Sequence, residues 1–242
     1  MSLMKALFPE RYTPSSFCTA IIAAAGFSQR MEGANKLLLQ LGGKPVLAHT
    51  LLAVDATEGI DEIVIACREE DIVAFAGICK DWGIQKPVKV ITGGKTREES
   101  VLRAAIEADP RSGILAVHDG ARPFATPELI RRVVKLARAN YAAAPAIPVK
   151  DTIKVAEAGV VKETPDRSRL FAVQTPQAFD AELLRAALKS ALDAEAVLTD
   201  DCSAVERLGK EVYLTNGLED NIKITTPWDM VIAEAILKKR NG

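Results

Sequence analysis

The chain has 242 residues, of which 48% are hydrophobic and 26% charged, with a formal net charge of −1. That length suits one large domain or two small ones, and it buries a core without covalent staples. The near-neutral balance excludes a broad basic field for nucleic acid or an anionic membrane surface, so any anion site has to be local.

Taken from the N-terminus, Lys5 and Arg11 precede the apolar stretch 17–25, and the A-x-A pattern within it loosely mimics a signal peptide. The stretch is Ala-rich and runs on into a cation-bearing loop, so it reads as a strand. No apolar run approaches the ~20 residues needed to span a bilayer. The four cysteines, at 18, 67, 79 and 202, form no C-x-x-C pair, and with two histidines they do not suggest a structural zinc site. Such spacing suits the reducing cytoplasm.

Strand-like and helix-like segments then alternate, which predicts an α/β architecture with a largely parallel sheet. FCTAIIAA (17–24) is a strand ended by Gly26, and Pro45 opens the helix PVLAHTLLAV. DEIVIAC (61–67) is a strand, followed by a helix that stops at Gly83. VKVIT (88–92) is a strand that ends in Gly93-Gly94, before the helix REESVLRAAIEA. GILAVHD (113–119) is a strand. The next helix has Thr126 as its N-cap and Pro127 in its first turn. After residue 149 the rhythm changes. Alternating polarity around Glu157-Ala158-Gly159 predicts a protruding β-hairpin, an arm inserted at about 149–175 of a single domain over 1–242. Leu184, Leu188 and Leu192 mark a further helix. A short helix at DDCSAVERLG, a strand at EVYLT and a closing helix complete the chain.

In open α/β sheets, ligands bind beyond the carboxyl ends of strands. Four segments fall there: Ala24–Lys36, Thr92–Ser100, His118–Pro123 and the loop before Lys223. In AAGFSQRM, small residues let backbone N–H groups approach an anion, and Arg30 and Lys36 are placed to grip a polyphosphate; a plain connection with solvated cations is the alternative. The loop is neither G-x-x-x-x-G-K-[ST] nor, with Ser28, a complete dinucleotide fingerprint, which argues against a P-loop NTPase and an NAD-dependent oxidoreductase. In HDGARP, Asp119 at a strand end could hold Mg²⁺ or simply pair with Arg122. ITGGKTREESV could cradle a base or ribose, and Lys223 in DNIKIT could be a solvated lysine. His118 and His49 read as packed residues. With no Ser–His–Asp or Cys–His arrangement, covalent catalysis lacks parts, whereas metal-assisted nucleotidyl transfer needs only positioning and positive charge.

Together AAAGFSQRM, NK, GGKTREESV, HDGARP, PVKDTIK, the arm's aspartate-arginine, QTPQAF, TDDCSAVE and DNIKIT resemble, in order and spacing over roughly 17–240, the 2-C-methyl-D-erythritol 4-phosphate cytidylyltransferase family. The resemblance implies a Rossmann-like nucleotidyltransferase fold whose β-arm builds a homodimer. It implies a reaction of CTP with methylerythritol phosphate that uses Mg²⁺ or another divalent cation and releases pyrophosphate. A cytidylyltransferase for ribitol 5-phosphate or another polyol phosphate is the nearest alternative, and a nucleotide-binding module without turnover is a more distant one. Carried over by motif, Arg30, Lys36 and Lys223 are catalytic cations. Ala24, Ala25, Gly26, Gly94, Ser100 and Asp119 face the nucleotide, with Asp119 also on the metal. Asp119, Arg122, Thr152, Arg167, Thr175 and Lys223 hold the second substrate, Thr152 and Arg167 from the neighbour's arm. The chain departs from the family's habit at Ala23, often proline, at Ser28, often glycine, and at Lys95, where an acidic or small residue is common.

Overall fold

Strand β1, Cys18–Ala24, is apolar on both faces, and the sheet around it explains why. Cys18, Ala20, Ile22 and Ala24 point into one buried cluster, while Ile21 and Ala23 point into the other. A strand that alternates between two cores reads as a continuous apolar run, as expected of a covered parallel sheet. The computed structural model describes residues 15–26 and 35–241.

After β1 come the two-residue strands β2 (Gln40–Leu41) and β3 (Lys44–Pro45), which pair as a small hairpin, and helix α1 (Val46–Asp55). Pro45 thus precedes the helix instead of opening its first turn. Next are β4 (Glu62–Cys67), a 3₁₀ turn at Glu69–Asp71, α2 (Ile72–Asp81), β5 (Val88–Thr92) and α3 (Arg97–Glu107). They lead to β6 (Ile114–Asp119), α4 (Pro127–Asn140) and β7 (Ala142–Pro148). The Thr126 hydroxyl caps α4 by accepting from the Leu129 N–H, and Pro127 stands in the first turn as its sequence predicts.

The predicted hairpin is β8 (Val155–Glu157) with β9 (Val160–Glu163). Ala158 and Gly159 both take positive φ, +47° and +80°, the pattern of a tight two-residue hairpin turn. Both strands are exposed along their length. The chain re-enters the main sheet at β10 (Phe171–Val173) and β11 (Gln177–Asp180), so the distal hairpin is shorter than the 149–175 interval. Helices α5 (Ala181–Asp193) and α6 (Asp201–Arg207), strand β12 (Tyr213–Asn216) and helix α7 (Pro227–Asn241) follow.

Among the described residues the main sheet has eight strands. From β5 at one edge it runs β4, β1, β6 and β11, then β7, with β10 also beside β7 and β12 on β7's far side. β1, β4, β5 and β6 are mutually parallel, and the antiparallel β11 joins them to β7. Helices α1, α2, α4 and α7 cover one face and α3, α5 and α6 the other. Leu184 and Leu188, one turn apart on α5, are both fully buried; truncating such a side chain to Ala costs about 2–5 kcal/mol. Register pairs Ala23 with Asp119, Ala24 with Cys67 and Cys67 with Thr92. The carboxyl ends of four parallel strands therefore meet along one rim.

Candidate active site

A cleft of about 130 Å³ opens at that rim, lined among others by Ala24, Gly26, Lys36, Arg97, Ser100, Asp119 and Lys223. All four loop segments singled out in the sequence contribute. Arg30 and Ser28 lie outside the described residues. A larger concavity of about 430 Å³ sits elsewhere, between Tyr141 and Tyr213 at the starts of β7 and β12, and shares no residue with the rim.

Asp119 is the electrostatic centre. It ends β6, is buried, and its Oδ2 lies 2.9 Å from Lys223 Nζ and 3.4 Å from Arg122 Nε. Its Oδ1 is 3.6 Å from a terminal nitrogen of Arg97. Burial opposes ionisation, but Lys223, Arg97 and Arg122 outweigh it and hold the carboxyl well below the usual carboxylate range. Asp119 and Arg122 therefore do form the ion pair of the plainer reading, but inside a cluster of three cations.

The backbone around Asp119 is fixed by Thr175. The Thr175 hydroxyl accepts from the Asp119 N–H at 3.1 Å and lies 2.9 Å from His118 Nδ1. The Arg122 carbonyl, 3.3 Å from His118 Nε2, can only accept, so Nε2 carries the proton of the neutral ring and Nδ1 accepts from the Thr175 hydroxyl. Burial pushes the His118 imidazole down to about 4, which keeps it neutral beside two cations. Arg122 also donates to the Asn221 carbonyl at 2.8 Å, and Asn221 Nδ2 donates to the Thr175 carbonyl at 3.0 Å. This stitches the Lys223 loop to β6.

On the α3 side of the cleft, Thr96 caps the helix by accepting from the Glu99 N–H. One turn on, the buried Ser100 hydroxyl accepts from the Gly94 N–H at 2.9 Å and donates to the Thr96 carbonyl at 2.7 Å. Its single hydrogen is used, so it can offer a ligand only an acceptor. Glu99 accepts from the Lys95 N–H at 2.8 Å and pairs with Arg103, which donates to the Gly93 carbonyl. A Cβ on Gly93 would come within 2.8 Å of Ala25 Cβ and of Ser100 Oγ. These contacts hold the glycine pair against the first loop.

Ala24, Gly26, Lys36, Ser100, Asp119 and Lys223 line the cleft. Arg122 and Thr175 stand directly behind Asp119, Ala25 touches the Gly93 position, and Gly94 is bound to Ser100. Thr152 and Arg167 do not line the cleft; both are exposed near the arm, and Arg167 donates to the Lys150 carbonyl at 2.6 Å. Two residues escaped the sequence reading. Arg97 lines the cleft and grips the fully buried Asp201 with both terminal nitrogens, at 2.9 and 2.7 Å. Burial pushes the Asp201 carboxyl up, against the pull of Arg97. The sequence carries no local signal for Asp201, because Glu98 and Glu99 in the same first turn already offer Arg97 and the helix end nearby anions.

Comparison with known proteins agrees with this fold. The family model described as IspD, 2-C-methyl-D-erythritol 4-phosphate cytidylyltransferase, matches residues 18–239. The chain is 42% identical over 223 residues to the enzyme of that name from Halalkalibacterium halodurans, covering 92% of this chain and 97% of the relative. It is 45% identical over 221 residues to the one from Bacillus cereus, covering 91% and 97%. Among solved structures, 4-diphosphocytidyl-2C-methyl-D-erythritol synthase from Anaerococcus prevotii superposes with a TM-score of 0.84 at 35% identity, covering 92% of this chain and 96% of that one. The cytidylyltransferase from Thermus thermophilus gives 0.73 at 33%, covering 90% and 98%. The chain belongs to the 2-C-methyl-D-erythritol 4-phosphate cytidylyltransferase family.

Proposed function

We infer that the chain transfers the cytidylyl group of CTP to 2-C-methyl-D-erythritol 4-phosphate, releasing pyrophosphate, in isoprenoid precursor biosynthesis. The observation that carries this beyond family membership is the convergence of Lys36, Ser100, Asp119 and Lys223 on one cleft at the carboxyl ends of the parallel strands.

Lys36 and Arg30 hold the triphosphate, and Ala24, Ala25 and Gly26 give it close backbone approach. The acceptor-only Ser100 hydroxyl, beside Gly94, suits the exocyclic amine of cytosine and not the carbonyl that uracil carries at that position. Arg122 and Lys223 hold the phosphate of the second substrate, with Asp119 fixing both cations; Thr175, expected there from the sequence, has its hydroxyl hydrogen committed to His118 and acts by fixing the Asp119 backbone. A phosphate oxygen of that substrate attacks the α-phosphorus in line, and pyrophosphate departs. Lys36 and Lys223 neutralise the charge that builds on the oxygens of the α-phosphate.

A divalent cation such as Mg²⁺ fits Asp119. Among the described residues its Oδ1 takes part in no hydrogen bond and pairs with Arg97 at 3.6 Å, and magnesium ordinarily takes one or two carboxylates and completes its shell with phosphate oxygens and water. When bound, it would add positive charge at the phosphates. Among the described residues there is no cluster of three or more His, Cys, Asp or Glu that would make an all-protein site.

The whole chain acts as one domain, and the arm joins two copies. Ile153, Val155, Val160, Val161, Phe171 and Val173 leave an apolar stripe exposed there, which pairing would bury. Thr152 and Arg167 then complete a neighbour's cleft. The enzyme works in the cytoplasm, and no described helix is long and apolar enough to cross a membrane. Phosphorus NMR of a mixture of protein, Mg²⁺, CTP and methylerythritol phosphate tests the reaction. The monoester signal should give way to a diphosphate diester and free pyrophosphate; persistence of the monoester overturns the assignment.

A further inference from the structure

Among the described residues Arg97 pairs with two carboxylates, Asp119 in the cleft and Asp201 outside its lining, and the arrangement is a competition. Arg97 donates to both Asp201 oxygens, and the nitrogen that stands 2.7 Å from Asp201 Oδ2 is 3.6 Å from Asp119 Oδ1. The first is a charge-assisted hydrogen bond and the second only an ion pair. Asp119 Oδ2 is already committed to Lys223 and Arg122. Oδ1 is therefore the open oxygen of the carboxylate that faces the cleft, and Arg97 is the group poised to close it.

Asp201 itself is held rigidly. Its N–H donates to Gln177 Oε1 at 3.1 Å, and Gln177 Nε2 donates to Oδ2 of the helix-capping Asp200 at 2.8 Å. Asp200 accepts in turn from the Ser203 N–H. Residues of β11 and α6 thus fix an anion behind the first turn of α3.

We propose that Asp201 is a positioning residue that draws Arg97 away from Asp119 Oδ1 and so keeps that oxygen open to the divalent cation. This rests on the reading of Asp119 as the metal carboxylate. Without the Asp201 charge, Asp119 is the strongest anion left to Arg97, and a shift of under about 1 Å brings the guanidinium to hydrogen-bonding distance of Oδ1.

The test is the ratio of the CTP dissociation constants without and with Mg²⁺, measured by titration calorimetry with no acceptor present. Any contact of Arg97 with the nucleotide itself cancels in that ratio. Asp201→Asn should lower the ratio about tenfold from wild type, because the freed guanidinium blocks Oδ1. The double variant Arg97→Gln/Asp201→Asn should recover at least the wild-type ratio, because nothing is left to block it. A wild-type ratio in folded Asp201→Asn overturns the proposal, as does a double variant that stays as low as the single one. If Asp201→Asn does not fold, the double variant decides alone: recovery supports the competition and a lowered ratio overturns it. Asp119→Asn should lose the metal dependence altogether. If it keeps the wild-type ratio, the metal assignment itself is wrong, an outcome distinct from failure at Asp201.

Discussion

The Lys223 ammonium rests 2.9 Å from Oδ2 of Asp119, so a lysine of an irregular loop is pinned to the end of the central strand β6. The contact makes the lysine a placed charge instead of a solvated one. Lys223→Ala and Lys36→Ala should each lower kcat about 10²-fold, the loss of roughly 3 kcal/mol that one charge contact in such a site supplies. Thermal unfolding should show both proteins folded. Because Asp119 holds Lys223, the double variant Asp119→Asn/Lys223→Ala should be little worse than the poorer single variant. Fully multiplicative losses would mean that the two act separately.

Acid should weaken the fold through His118. Its imidazole is held down to about 4 from an ordinary 6.5 by burial, next to Arg122 and Lys223. Between those values the unfolded chain binds a proton that the folded one refuses, so stability is full above about pH 6.5 and declines as pH falls toward 4. The loss approaches about 3 kcal/mol. Urea unfolding from pH 7 to 4.5 should show this slope in the wild type and a flatter one in His118→Gln. Parallel slopes would exclude His118 as the source.

Much of this fold was legible because its signals are local. β1, β4 and β6 are short apolar runs, α4 has its threonine cap and proline, and the β8–β9 turn declares itself in Ala158-Gly159. Pro45 misled slightly, because it also ends the two-residue strand β3, whose partner is set by tertiary pairing. In the site, Lys36, Asp119 and Lys223 follow apolar strands or sit in recognisable loops, Ser100 lies in the first turn of the helix after such a loop, and the four meet in one cleft. Arg97 and Asp201 stayed hidden because their bond joins residues 104 positions apart. An arginine among the charges of REES looks solvated until the fold buries its partner.

Base choice should respond to Ser100. Ser100→Ala removes the acceptor and frees the Gly94 N–H. The preference for CTP over UTP, taken as a ratio of kcat/KM, should fall about tenfold, the equivalent of roughly 1.4 kcal/mol. An unchanged ratio with uniformly slower turnover would make Ser100 only a brace for the loop.

Subunit exchange tests the proposal that two copies share a cleft. Arg167→Ala and Lys36→Ala proteins, each nearly inactive, should regain part of the wild-type rate when mixed, since a hybrid dimer carries one intact site. Verified exchange without any rescue would place Arg167 outside the neighbour's site.

Pyrophosphate release reads the enzyme's choice of its two substrates most directly. Each of four nucleoside triphosphates would be offered with Mg²⁺ and either methylerythritol phosphate or ribitol 5-phosphate. Release confined to CTP with methylerythritol phosphate is the predicted result. Release with ribitol 5-phosphate in its place, or none with any pair while CTP still binds, would contradict it.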